Sequence, residues 1–271
     1  ACRREQHAKA CTGAVEVGKT MLECVLLAGA PADAETKARY NVEWRAEVPI
    51  AGERMVDRVI AALRDSGCVG KIACVGALET GADEDVAPGA TFLENVMRGL
   101  EAAGDGDTVL VASSDIPLVT GAAISDFVEL ALRLDADFAY PIIPKDECLL
   151  KYPQLKRTFI RVREGTFTGG NAVLIKREFA LRSRGRIQEL YEARKKPLLL
   201  ARMIGAGVLA RAAIAQKIWA GAASIELVEE KAGSVMGGRL RAVRCGWPEI
   251  GEDADRLEDF EAMDRILRGV A

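Results

Sequence analysis

From residue 21 onward the chain alternates short apolar runs with amphipathic stretches. The clearest run is 108–112, Thr-Val-Leu-Val-Ala, rich in β-branched residues. It follows the turn cluster Gly104-Asp105-Gly106-Asp107 and stops at Ser113-Ser114. A run of that length between turn signals reads as a strand buried on both faces, the kind found in parallel sheets covered by helices. Residues 21–27, 71–75 and 138–143 read the same way. Between them lie helical periods. Val56, Val59, Ile60 and Leu63 mark a helix over 54–66 that stops at Gly67. Leu93, Val96, Met97 and Leu100 mark one over 91–100, with Thr91 and Glu94 as a capping-box pair. Ile124, Phe127, Val128 and Ala131 mark a third. The βαβαβ order predicts an α/β, Rossmann-like fold: a mostly parallel, doubly wound sheet with helices on both faces.

The second half is less regular. Strands are expected over 158–162 and 172–175, with Thr168-Gly169-Gly170-Asn171 in the stretch between them. A mostly helical insertion covers about 178–232, broken at Pro197. A last strand is expected over 240–243. A closing helix over 255–267 would have Asp255 and Glu258 as a capping pair. The domain reading is a polar extension over 1–20 and one domain over 21–271. Residues 203–223 are apolar on nearly all sides, interrupted by Arg211 and Lys217. They read as a buried or homodimer-forming helix pair. The competing reading, a helix lying on a membrane, wants more basic residues than are present.

Composition removes several function classes. The chain has 271 residues, with 37 basic and 40 acidic side chains and a net charge of −3. That balance argues against a protein that grips a nucleic-acid backbone. No apolar run approaches the roughly 20 residues of a membrane span. The seven cysteines are scattered, without a Cys-x-x-Cys pair, so neither a zinc site nor a disulfide framework is expected. A reducing, cytoplasmic setting fits that usage. The one histidine, His7, lies in the polar leader, which leaves no histidine base for catalysis.

The candidate chemistry is acidic and phosphate-directed. Ligands of open α/β sheets sit beyond the carboxyl ends of the strands, where the 108–112 strand delivers Asp115. Pro117 forces the chain out of the strand in a defined turn. Asp115 could equally be a turn residue. Leu27-Ala28-Gly29-Ala30 ends the first strand at the same edge, where small residues let backbone N–H groups approach a phosphate. Arg45 could neutralise a phosphate or be a solvated loop charge. Near the end, Asp253 and Asp255 point the same way if the backbone is extended. With Asp115 they could hold Mg²⁺ through oxygen ligands. Lys145, Lys156, Arg157 and Arg161 could grip an anionic acceptor or form a solvated face.

Several segments in this order resemble a known family. They are Leu27-Ala28-Gly29, Val48-Pro49-Ile50-Ala51-Gly52-Glu53-Arg54-Met55, Ser114-Asp115-Ile116-Pro117-Leu118, Thr168-Gly169-Gly170-Asn171 and Asp253-Ala254-Asp255. Their order and spacing resemble the MobA-like (molybdenum-cofactor guanylyltransferase-like) nucleotidyltransferases, over about residues 21–271. The resemblance implies the glycosyltransferase-A type of Rossmann-like fold. It also implies transfer of a nucleoside monophosphate from an NTP to a phosphorylated small-molecule acceptor, with Mg²⁺ and release of pyrophosphate. By the same resemblance Leu27, Ala28, Gly29 and Ala30 form the nucleotide loop, and Gly89 and Thr91 contact base or ribose. Asp115 is the metal and catalytic aspartate, and Asp253 or Asp255 a second ligand. Thr168, Gly169, Gly170 and Asn171 serve the acceptor, and Arg45 stands where the family has a phosphate-binding lysine. The chain departs from the pattern in the loop, where Ala30-Pro31-Ala32-Asp33 replaces further glycines and an arginine. Two alternatives stay open: a glycosyltransferase using a nucleotide sugar, and a nucleotide-binding regulatory module without turnover. A dehydrogenase is disfavoured because no Gly-x-Gly-x-x-Gly follows the first strand.

Overall fold

The computed structural model describes residues 21–193 and 220–270, with isolated positions between 203 and 214. In chain order these residues form β1 (Leu22–Leu27), α1 (Ala34–Tyr40), β2 (Pro49–Ile50), β3 (Glu53–Arg54), α2 (Met55–Asp65), β4 (Val69–Val75), β5 (Glu84–Val86), α3 (Phe92–Ala103), β6 (Thr108–Ser113) and α4 (Gly121–Leu132). There follow β7 (Phe138–Pro144), α5 (Lys145–Lys151), β8 (Ile160–Val162), β9 (Gly165–Gly169), β10 (Ala172–Lys176), α6 (Arg177–Ala193), α7 (Ile225–Met236), β11 (Leu240–Arg244) and α8 (Leu257–Leu267).

The apolar runs become the middle of the sheet because both their faces are covered. The strand order is β5-β4-β1-β6-β10-β7-β9-β8, with β11 paired to β7. β5, β4, β1 and β6 are parallel neighbours, and β11 is parallel to β7. One face buries Cys24 and Leu26 of β1, together with Leu110 of β6, against Val59, Leu63, Ile124 and Phe127 of α2 and α4. The other buries Val25, Val75 and Val109 against Val96 and Leu100 of α3 and Phe179 of α6. The expected α/β architecture with a mostly parallel sheet is therefore present.

Local expectations are corrected at four points. The chain does not pass from β6 to an adjacent parallel β7; β10 lies between them and is antiparallel to both. Thr168 and Gly169, in the stretch between two expected strands, close β9, a strand absent from the sequence reading, and β9 pairs with β7 beyond the stretch that β10 occupies. Asp255 does not cap the closing helix. α8 starts at Leu257, and the Asp259 carboxylate accepts from the backbone N–H groups of Asp255 and Arg256. In the α3 pair Thr91 caps as expected, its hydroxyl accepting from Glu94 N at 3.1 Å, but Glu94 reaches Ala90 N at 2.5 Å rather than Thr91 N.

A third apolar cluster positions the site. Val48, Ile50 and Met55 pack with Leu118, Ala254, Phe260 and Met263, which ties the β2–β3 hairpin, the turn after β6 and α8 into one unit. The hairpin turn places Ala51 and Gly52 at φ 53° and 89°, a left-handed pair of the kind tight hairpins need. Ala51 N donates to Asp264 Oδ1 at 2.7 Å, which pins the hairpin tip to α8. The 1–20 extension and most of the apolar 203–223 stretch lie outside the described residues. Of the expected helical insertion, α6 and α7 are described. Among the described residues no helix is long and apolar enough to cross a membrane.

Candidate active site

The carboxyl ends of β1 and β6 lie side by side, with Leu27 opposite Ser113, so the loops leaving them must meet. Ser114 N donates to the Leu27 carbonyl at 3.0 Å, and Ala28 N donates to the Val75 carbonyl at 2.8 Å. The chain then turns at Gly29. A Cβ added there would sit 3.4 Å from Pro88 Cβ and 3.5 Å from the Asn95 amide, so the loop faces the mouth of α3. Gly89 N donates to Asn95 Oδ1 at 2.6 Å, holding that mouth in place. Leu27 to Ala30 and the Gly89–Thr91 segment are thus neighbours, as a shared nucleotide site requires.

Arg45 enters through backbone pairing. Its N–H donates to the Ala30 carbonyl at 3.0 Å, and Ala32 N donates to the Glu43 carbonyl at 2.9 Å. This strip carries the Arg45 guanidinium to the carboxylate of Asp255, with which it forms an ion pair. Asp255 is brought there by the third apolar cluster and by one backbone bond, Ala254 N to the Asp115 carbonyl at 2.8 Å. Two distant acidic segments therefore converge at the end of β6.

Asp115 is the electrostatic centre of this group. Burial pushes its carboxyl up from the ordinary aspartate value. The Ser113 hydroxyl and the Arg45 charge pull it down, and the Asp255 charge pushes it further up. Its Oδ1 is buried and has no hydrogen-bond partner among the described residues. A buried carboxylate oxygen without a donor is costly, and a bound cation would satisfy it. Asp115 and Asp255 are hard oxygen donors, and Mg²⁺ commonly takes one or two carboxylates and leaves its other positions to water and phosphates. The pair fits that ion. Among the described residues no three acidic, cysteine or histidine side chains are grouped to hold a metal by themselves.

Asp253 does not join them. Its carboxylate is paired with Arg157, which also donates from Nη2 to the Gly169 carbonyl at 3.2 Å. Arg157 Nε lies 3.9 Å from Oε2 of Glu252, whose side chain is only 2% exposed. Glu252 Oε1 and Arg157 Nε are both buried and have no hydrogen-bond partner among the described residues. Burial pushes the Glu252 carboxyl up to about 7, Arg157 opposes the shift, and Asp259 and Glu249 add to it.

The acceptor-side residues have structural duties. A Cβ on Gly169 would meet the Tyr140 hydroxyl at 1.8 Å, and one on Gly170 would meet Pro141 and Ile250 at 2.8 and 2.9 Å. Thr168 is buried. Asn171 bridges two elements through its backbone, donating to the Ile250 carbonyl at 2.8 Å and accepting from Ser113 N at 3.0 Å. That places it beside the strand that carries Asp115. Of the basic side chains near the middle strands, Lys145 lies 5.6 Å from the Phe159 ring, Lys156 is exposed, Arg157 is committed to Asp253, and Arg161 lies in β8. The Arg157–Asp253–Glu252 cluster and the place of Tyr140 over Gly169 were missed by sequence reasoning, because no local spacing links them.

A small-residue loop and an aspartate lie at adjacent carboxyl ends of a Rossmann-like sheet and face a helix mouth, the place where such sheets bind ligands. The MobA-like NTP transferase domain model matches residues 24–218, and the chain belongs to that family. Among solved structures it is similar to a hypothetical transferase from Thermus thermophilus, with 32% identity and a TM-score of 0.79, covering 89% of this chain and 100% of that one. A nucleotidyl transferase from Methanothermobacter (16% identity, TM-score 0.53) matches over 92% of this chain and 99% of its own. The 2-C-methyl-D-erythritol 4-phosphate cytidylyltransferase of Thermus thermophilus (16%, 0.52) matches over 92% and 100%. At that identity these two speak for the fold alone. No curated protein matches the chain.

Proposed function

We propose that this nucleotidyltransferase moves a nucleoside monophosphate from an NTP to a phosphorylated small-molecule acceptor, with Mg²⁺ and release of pyrophosphate. The observation that carries the reading is the buried, unpartnered Asp115 Oδ1 beside Asp255 and Arg45, next to the Leu27–Ala30 loop. Asp115 and Asp255 would hold the magnesium ion, which when bound offsets phosphate charge. Asp253, paired with Arg157, is left out of that ligand set.

The chain's own residues have a modest chemical task. A phosphate acceptor is already a nucleophile near neutral pH, so no histidine base is needed. An acceptor phosphate oxygen bonds to the α-phosphorus, and the bond from that phosphorus to the α–β bridging oxygen breaks, with pyrophosphate leaving in line. The Leu27–Ala30 loop and the Gly89–Thr91 segment would line the nucleotide. Arg45 would offset the charge that develops on the leaving group, a role that preorganised cations perform without reorganisation. Asn171, bonded to Ser113 N through its carbonyl, would contact the acceptor.

The test is to incubate the protein with each of the four NTPs, Mg²⁺ and pools of sugar phosphates and other phosphorylated compounds, and to measure pyrophosphate. The expected result is release that depends on both an NTP and an acceptor. Asp115→Asn should lower it at least ~100-fold. Unchanged turnover in that folded variant would reject the assignment.

A further inference from the structure

An apolar groove of about 300 Å³ lies between the sheet and α7, on the face that also carries α3 and α6. Its walls include Phe138, Tyr140 and Ile142 of β7, Phe167 of β9, Val228 of α7 and Leu240 of β11. That volume is at the small end of the roughly 300–1,000 Å³ of small-molecule sites. The groove is open: Tyr140 and Val228 are 38% and 47% exposed, and Ile160 on its opposite wall is 57% exposed. The two charged residues on its lining, Glu229 and Arg241, are paired at 3.5 Å, and Glu229 also accepts from Ala242 N at 2.7 Å. No uncompensated charge among the described lining residues therefore faces its interior.

What makes it more than an uncovered face is where it ends. Thr168 and Gly169 belong both to the groove lining and to the segment that leads to Asn171. Gly169 is two residues from Asn171, about 7 Å along an extended chain, and Asn171 is bonded to Ser113. Near the groove rim Arg157, paired with Asp253, donates to the Gly169 carbonyl, and the Arg244 guanidinium lies 5.8 Å from the Phe167 ring. A phosphate at the β6 end with an apolar body behind it would match the shape and the apolar lining of this groove.

The geometry points to a phosphorylated acceptor with a hydrocarbon or aromatic body, seated in this groove with its phosphate toward Asn171. This rests on the transfer reading above and names the acceptor class for it. A hydrophilic sugar phosphate would leave the groove's apolar surface wet and gain little from it.

The probes are ethyl, hexyl and octyl phosphate, titrated into the full chain by calorimetry and then offered as acceptors with Mg²⁺ and each NTP. Binding should tighten about three- to fourfold per methylene, roughly 100-fold from ethyl to hexyl phosphate. In the transfer assay the gain should appear in KM. Val228→Glu should return hexyl phosphate to the affinity of ethyl phosphate. Ile160→Glu, across the groove and also exposed, gives the same test should the first variant fail to fold. Affinity independent of chain length would overturn the inference, as would hexyl phosphate binding unaffected by either folded variant. So would a dimer in sedimentation that Val228→Glu dissociates while alkyl phosphates do not bind, since the groove would then be covered by a second copy. Pyrophosphate release with hydrophilic phosphates alone would overturn the groove assignment and leave the transfer reading standing. Groove-dependent binding of hexyl phosphate without pyrophosphate from any NTP would support the apolar site and reject the transfer reading.

Discussion

Glu252→Gln is expected to flatten the pH dependence of stability. The wild-type carboxyl is buried, with one oxygen unpartnered and the other 3.9 Å from Arg157 Nε, and burial raises it from 4.5 to about 7. The folded state therefore holds its proton more tightly than the unfolded chain does. Protonated Glu252 contributes its full stability below pH 4.5, and that contribution is lost as pH rises toward and through about 7. Linkage between those two values gives a loss of about 2.5 kcal/mol from pH 5 to pH 8. Glutamine keeps the shape and cannot ionise, so the variant lacks this loss. Urea denaturation of both proteins at half-unit steps from pH 5 to pH 8 measures the difference directly, and every other titrating group cancels in the comparison. In thermal melts the same difference corresponds to roughly 5–10 °C. Parallel stability curves would refute the reasoning. A wild type that gains on the variant as pH rises would show that the Arg157 pairing, and not burial, governs this carboxylate.

Three further outcomes follow from the same geometry. Asp115→Asn should lower NTP-dependent pyrophosphate release at least ~100-fold while raising the melting temperature, because burial disfavours the charged carboxylate that the amide replaces; a lower melting temperature would contradict the burial argument. Arg45→Ala should cut turnover ~10- to 1,000-fold with the fold intact, and Arg45→Lys should recover part of it as a point charge of different shape; equal rates in all three proteins would remove Arg45 from the site. Arg177→Ala should cost roughly 2–4 kcal/mol in urea denaturation, since Arg177 binds Glu23 at 2.7 Å, the Gly106 carbonyl at 2.9 Å and the Leu100 carbonyl. Below its melting point that variant should transfer at the wild-type rate, because the clamp lies at the opposite end of β1 from the Leu27–Ala30 loop.

Local pattern alone determined much of this protein. The apolar runs at β1, β4 and β6 and the helical periods at Val56–Leu63, Leu93–Leu100 and Ile124–Ala131 are short-range features, and each became the expected element because burial rewards one face of a helix or both faces of a central strand. The place of Asp115 at a strand's carboxyl end was legible for the same reason. What lies between distant residues was not. The insertion of β10 between β6 and β7 depends on which strand edge is free after the chain has folded back, and no period in residues 172–176 records it. Asp253 and Asp255 look equivalent on an extended backbone, yet one is paired with Arg157 and the other with Arg45, partners 96 and 210 residues away. Charges pair through space, and only the packing of the hairpin, the Asp115 turn and α8 around a shared apolar cluster decided which aspartate was left beside Asp115.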